Sequence, residues 1–182
     1  MLELLGAKLY TGIVALSLLL FSSFQGNDPR LSAITVQKSE NYLHLSGSLI
    51  SAFDNDFPSI FSSGTPIPVH FMLQIRSGGK AVVQRRFTHT VSFDTATGVY
   101  ELGKSGTGEV YRSDRVEDII REVSRYRFGI PYQADWGSVS IKIDASLPRV
   151  NFEQLNKEVD LMVLWKHKIP SARTTADLRR AQ

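Results

Sequence analysis

The 182-residue chain contains no cysteine, and that absence removes several kinds of chemistry at once. Disulfides, thiolate metal sites, a cysteine nucleophile and a lipid-modified N-terminal cysteine are all excluded. It does not fix the redox compartment, because many exported bacterial proteins lack cysteine. Histidine is sparse as well: His44, His70, His89 and His167 are the only four. None has a His-x-x-x-His or Glu-x-x-His partner at ligand spacing, so a metal site would need long-range assembly. There is no G-x-S-x-G elbow or other serine-nucleophile signature. Charge of one sign is not concentrated either. The net charge is +3 and the isoelectric point near 9.2, with the cations spread out and partly paired, so no nucleic-acid footprint follows. No internal repeat and no low-complexity segment is present.

What the chain does have is an ordinary globular balance, with 42% hydrophobic and 21% charged residues, at a length that suits one domain with a real core. One stretch stands apart. Leu9 to Asn27 carries no charge, and Ile13 to Phe24 is strongly apolar. Lys8 precedes it and Gly26-Asn27-Asp28-Pro29 ends it with turn residues. At the N-terminus and without a polar face, this run reads as an export signal or a short membrane anchor. No Ala-x-Ala cleavage site follows it, and Glu3 partly offsets Lys8, which favours a retained anchor over a cleaved signal. The expected organisation is residues 1–26 as signal peptide or anchor, 27–170 as a single β-rich domain, and 171–182 as a flexible basic tail. The domain is then expected in the periplasm, or facing it from the inner membrane through residues 9–27 if the segment is uncleaved.

The clearest pattern is a hairpin from Pro66 to Phe93. Ile67, Val69, Phe71, Leu73 and Ile75 alternate with polar or intermediate residues. Ser77-Gly78-Gly79-Lys80 turns the chain, and Ala81, Val83, Phe87, Val91 and Phe93 continue the period of two. Ile34 to Val36 and Leu43 to Leu49 predict a first strand pair, Val99 to Leu102 a short strand, and Glu109 to Tyr111 a further one. Val139 to Leu147 and Val159 to Trp165 predict the last two strands. Helices are predicted over Asn55 to Ser63 and from Asp114 through Tyr126, the second with an Asp114/Glu117 capping box. About seven strands and two short helices without regular alternation predict an α+β, β-rich fold with a mainly antiparallel sheet or sandwich.

Candidate chemistry is thin. Gly98 to Ser105 fits G-x-x-x-x-G-K-[ST] letter for letter, but a phosphate loop needs a strand before it and a helix start after it. Here the interior looks extended, and Gly106-Thr107-Gly108 is no helix start. Asp54 and Asp56 resemble a carboxylate pair, but helix capping accounts for them. The basic clusters Lys80, Arg85, Arg86 and Arg121, Arg125, Arg127 read first as solvated faces, with contact to anionic lipid or an acidic partner as the functional alternative. Arg85 and His89 are the only polar interruptions on the apolar phase of the second hairpin strand. They are the speculative binding residues, with a hydrogen-bonded core histidine as the plainer account of His89. No catalytic residue, cofactor or metal ligand is assigned.

The order of elements resembles a known family. Ser63-Gly64-Thr65-Pro66-Ile67 steps into a long strand, Thr88 to Asp94 ends a basic one, Val99 to Leu102 carries a tyrosine, and Trp165 lies in the last predicted strand. Over roughly residues 31–168 this is similar to the bacterial domain-of-unknown-function family 4390. The resemblance implies an exported, envelope-associated protein with no assigned catalytic residues. It further implies an envelope protein partner, with a sensor kinase suggested by family association. Two functions fit these readings: a non-enzymatic protein-interaction or structural module of the cell envelope, or a small-ligand or lipid-binding envelope protein whose aromatic helix Phe53 to Phe61 covers a pocket.

Overall fold

A computed structural model describes residues 26–152 and 156–179. The expected signal peptide or anchor, residues 1–26, lies outside the described residues apart from its last position. Among these no helix is long and apolar enough to cross a membrane. The fold is β-rich and antiparallel with two short helices, as the patterning predicts. In chain order the elements are β1 (Arg30–Leu31), β2 (Thr35–Lys38), β3 (Tyr42–Ile50), α1 (Phe57–Phe61), β4 (Ile67–Ser77), β5 (Lys80–Asp94), β6 (Val99–Lys104) and β7 (Glu109–Ser113). There follow α2 (Val116–Val123), β8 (Arg125–Pro131), β9 (Ser138–Ser146), β10 (Arg149–Phe152), β11 (Lys157–Asp160) and β12 (Ser171–Asp177). Six strands form one curled sheet in the order β12-β9-β4-β5-β6-β7; β3 pairs with β1 and β2, and also with β8, in a smaller sheet; β10 and β11 form a separate pair.

The two larger sheets face each other because both present one apolar row. On β4 that row is Ile67, Val69, Phe71, Leu73 and Ile75, all fully buried, and β9 adds Val139, Ile141, Ile143 and Ala145. The smaller sheet answers with Leu43 and Leu45 from β3 and Tyr126, Phe128 and Ile130 from β8. Phe71 spans the gap, its ring centroid 5.5 Å from that of Tyr126 and 5.8 Å from that of Phe128. A second cluster joins Phe53, Phe57, Phe61 and Trp165, and the Trp165 indole N–H donates to the Ala52 carbonyl at 2.8 Å. The aromatic face of α1 is therefore packed on its neighbours.

Several elements differ from expectation. The second helix is shorter: it runs only to Val123, and Arg115 occupies its N-cap without a side-chain cap bond. The expected Asp114 capping box is replaced by Ser113, whose hydroxyl accepts the Arg115 N–H and donates to Asp118. Tyr126, read as the end of a helical stripe, instead begins the buried row of β8. Leu161–Trp165 is a 3-10 helix, started by the Asp160 carboxylate accepting the Met162 N–H at 3.0 Å and ended by Lys166 at positive φ. A run apolar on both faces suits a helical turn buried all round as well as a central strand. Ser171–Asp177, expected as a loose tail, pairs along its full length with β9. Asn27, read as a turn residue at the end of the apolar run, is buried and donates its backbone N–H to the Leu164 carbonyl at 2.7 Å.

Candidate groove between two strand edges

β5 is a strand of two halves. β4 pairs with it from Lys80 to Val91, but β6 covers its other edge only from His89 to Asp94. Two bonds from Ser105 to Thr88 extend that cover by one residue. From Lys80 to Phe87 the second edge has no strand partner among the described residues. β8 is similar, since it pairs with β3 and its other edge has no strand partner among the described residues. The two bare edges converge where Phe87 and Phe128 stack, with ring centroids 4.1 Å apart and planes within 9°. The β6–β7 turn closes one end of the gap at this stack. A Cβ on Gly106 would lie 2.9 Å from the Phe87 ring and 3.2 Å from the Phe128 ring, so only glycine fits without repacking.

Beyond the stack the gap opens into a groove of about 370 Å³, lined by Val83 and Arg85 from β5, Ile130 from β8, and Tyr132 and Trp136 from the connection that follows. The far wall is fixed from outside. The Ser77 hydroxyl donates to the Trp136 carbonyl at 2.5 Å, the Tyr132 N–H donates to the Asn41 carbonyl, and the Lys38 ammonium sits 5.6 Å above the Tyr132 ring. Lys80, Arg85 and Arg86 on β5 and Arg127 on β8 are exposed, and none makes an ion pair with a described residue. Of these cations Arg85 lines the groove, Lys80 and Arg86 flank it along β5, and Arg127 lines a separate polar cleft. The β5 side of the groove is thus cationic and its floor aromatic and aliphatic.

Arg85 and His89, singled out by the same interruption of pattern, are not brought together. Arg85 lines the groove. His89 lies in the core at 1% exposure, with its ring 4.8 Å from that of Phe71 and Nδ1 3.3 Å from the Val123 carbonyl. A carbonyl can only accept, so Nδ1 carries the proton. Burial pushes the His89 pKa down to about 4; the Val123 carbonyl opposes this and the Lys104 charge adds to it. A neutral, hydrogen-bonded imidazole follows. Tyr132 and Trp136 carry no signal in the sequence, because the strand that leads to them is hidden: Tyr126 fits the helical stripe, which leaves Phe128 and Ile130 as too short an alternation to register.

A second, polar cleft of about 400 Å³ lies on the other side of the Gly106 turn, with Lys104, Thr107, Glu109, Glu122, Arg125 and Tyr126 in its lining. Glu122 binds Lys104 at 3.4 Å and Arg125 at 3.1 Å there, and Arg127 also lines the cleft. The Tyr126 hydroxyl is buried with no hydrogen-bond partner among the described residues, and burial pushes its pKa up to about 12. The phosphate-loop look-alike is strand β6, and the lysine such a loop would need is the one bound to Glu122. Asp56 takes the N-cap of α1 without a side-chain bond. Among the described residues no group of three or more His, Asp or Glu side chains could hold a metal ion. The arrangement as a whole defines a two-sheet β domain with one open seam. No family model, curated protein or solved structure matches the chain.

Proposed function

We propose that this chain is a non-enzymatic protein-interaction module of the bacterial cell envelope. It is exported or anchored through residues 9–27 and receives a protein partner at the seam between β5 and β8. The observation that carries this reading is the pairing of two bare strand edges around an aromatic groove, since unpaired backbone is a ready template for another chain. The signal-like N-terminus and the resemblance to the exported family support the location. A photo-crosslinking residue placed at Gln84 or Gln133, in the chain expressed in its own cells, tests it. Both positions should yield an adduct mapped to one stretch of one polypeptide, while Thr175, on β12, yields none. Equal adducts from all three positions, or none from any, sink the reading.

A second reading, a small-ligand or lipid-binding envelope protein, rests on the unpartnered Tyr126 hydroxyl beside the polar cleft. Native mass spectrometry of protein purified from its own cells should then show bound mass that Tyr126→Phe removes.

A further inference from the structure

The seam also carries information about what fits it, and this step rests on the protein-interaction reading. A segment adding to the bare edge of β5 meets two alternating surroundings, because successive side chains of a strand point to opposite faces. One row would enter the groove beside Val83 and Arg85, over Ile130 and Trp136. The other would lie on the outer face beside Gln84 and Arg86. Both rows therefore meet an arginine that makes no ion pair with a described residue. Lys80, near the hairpin turn, adds a third cation that makes no ion pair with a described residue.

We infer that the occupant is an extended acidic segment of another protein, added as a strand to the Lys80–Phe87 edge of β5, with carboxylates beside Arg85 and Arg86 and apolar side chains over the groove floor.

The charge also selects against the obvious competitor. A second copy of this chain pairing edge to edge would set Arg85 and Arg86 against the same residues, and like charges facing across strands are destabilising. Cations on an edge are a known means of preventing such self-pairing. If that were their whole role, they would keep every strand out. An alternating acidic segment is the one class that turns the same charges into attraction while its backbone satisfies the bare edge.

The test uses the full chain in detergent micelles and short fluorescent peptides alternating valine with aspartate, valine with lysine, or valine with aspartate and a central proline. Binding is read by anisotropy. The aspartate peptide should bind about tenfold or more tighter than the lysine peptide, from two favourable pairs replacing two unfavourable ones. Proline should abolish binding by removing a donor and the extended ladder. The double substitution Arg85→Glu, Arg86→Glu should reverse the preference towards lysine. Equal binding of the proline peptide would show mere charge attraction and overturn the inference, as would a preference unchanged in the double variant. If no peptide binds while the Gln84 and Gln133 cross-links persist, the acidic strand is wrong and the docking seam stands. If the peptide selectivity is found but the cross-links are not, it is the partner reading that fails.

Discussion

The two halves of β5 show how the same local sequence pattern produces opposite environments. From Thr88 to Val91 the strand is bonded on both edges and from Ser92 to Asp94 it is paired with β6, and Val91 and Phe93 are buried in the core. From Lys80 to Phe87 it is paired on one edge only, and every residue before Phe87 except Val83 is exposed. Nothing in the period of two distinguishes them. The difference is imposed from outside, by the point at which β6 gives way to the turn at Gly106. Wherever that turn sits, the core ends and the seam begins.

The largest expected effect exploits this contrast directly. Val91→Asp buries an unpaired carboxylate between sheets and should cost more than about 4 kcal/mol. Val82→Asp, at a site 37% exposed, should stay within about 0.5 kcal/mol. Urea denaturation of both variants measures the gap. Comparable losses would mean that the two halves are not differently covered.

The same contrast sets what was legible in advance. The β4–β5 hairpin could be read because five apolar side chains of β4 alternate without a break and Gly78-Gly79 supplies the turn. The antiparallel, β-rich fold followed from it. Arg85 and His89 were both found, because a polar residue in an apolar phase is visible in the sequence. Their separate fates were not, since periodicity assigns a face and is silent on whether anything lies over that face. β8 was hidden because Tyr126 satisfies the helical spacing from Ile119 and Val123 as well as the strand spacing to Phe128. β12 was hidden because an edge strand bound on one side needs only Ala172, Thr174 and Ala176 on its inner row, too little apolar weight to register.

Next in size is a pH effect confined to the closed half. The folded His89 has its pKa lowered from 6.5 to about 4 by burial, so the unfolded chain binds the proton first as pH falls. The stabilisation is full above about 6.5 and is lost as pH drops towards 4, by roughly 3 kcal/mol if no group compensates. His70, whose pKa is lowered by partial burial and by the Arg86 charge, acts in the same direction. Denaturation at a series of pH values should show this loss in the parent and a much flatter profile in His89→Gln, which keeps a donor for the Val123 carbonyl but does not titrate. A parent profile that is flat between pH 6.5 and 4 would argue that His89 is charged or hydrated in the fold.

The boundary between the halves should respond more mildly. Gly106→Ala pushes a methyl group against Phe87 and Phe128, and about 1–2 kcal/mol is expected from the displaced stack. If Gly106 governs where the seam starts, the variant should also alter amide exchange at Ser105 and Thr88, whose mutual bonds end the β6 cover. Tyr126→Phe, on the closed side, should raise stability by about 1 kcal/mol, because it removes a buried hydroxyl that no described group satisfies.

The smallest expected effect lies in the open half. Arg85 and Arg86 are exposed and make no ion pair with a described residue. Changing both to glutamate should shift stability by less than about 0.5 kcal/mol. The double variant contains its own check on folding. Arg86 helps hold the His70 pKa below its ordinary value, and an acidic residue there should raise it, while buried His89, against Phe71 and the Val123 carbonyl, should titrate as before. NMR titration of the two imidazoles separates these outcomes. A His89 shift as large as that of His70 would mean that charge on the bare edge reaches the closed core, and β5 would then have to be treated as one electrostatic unit rather than two.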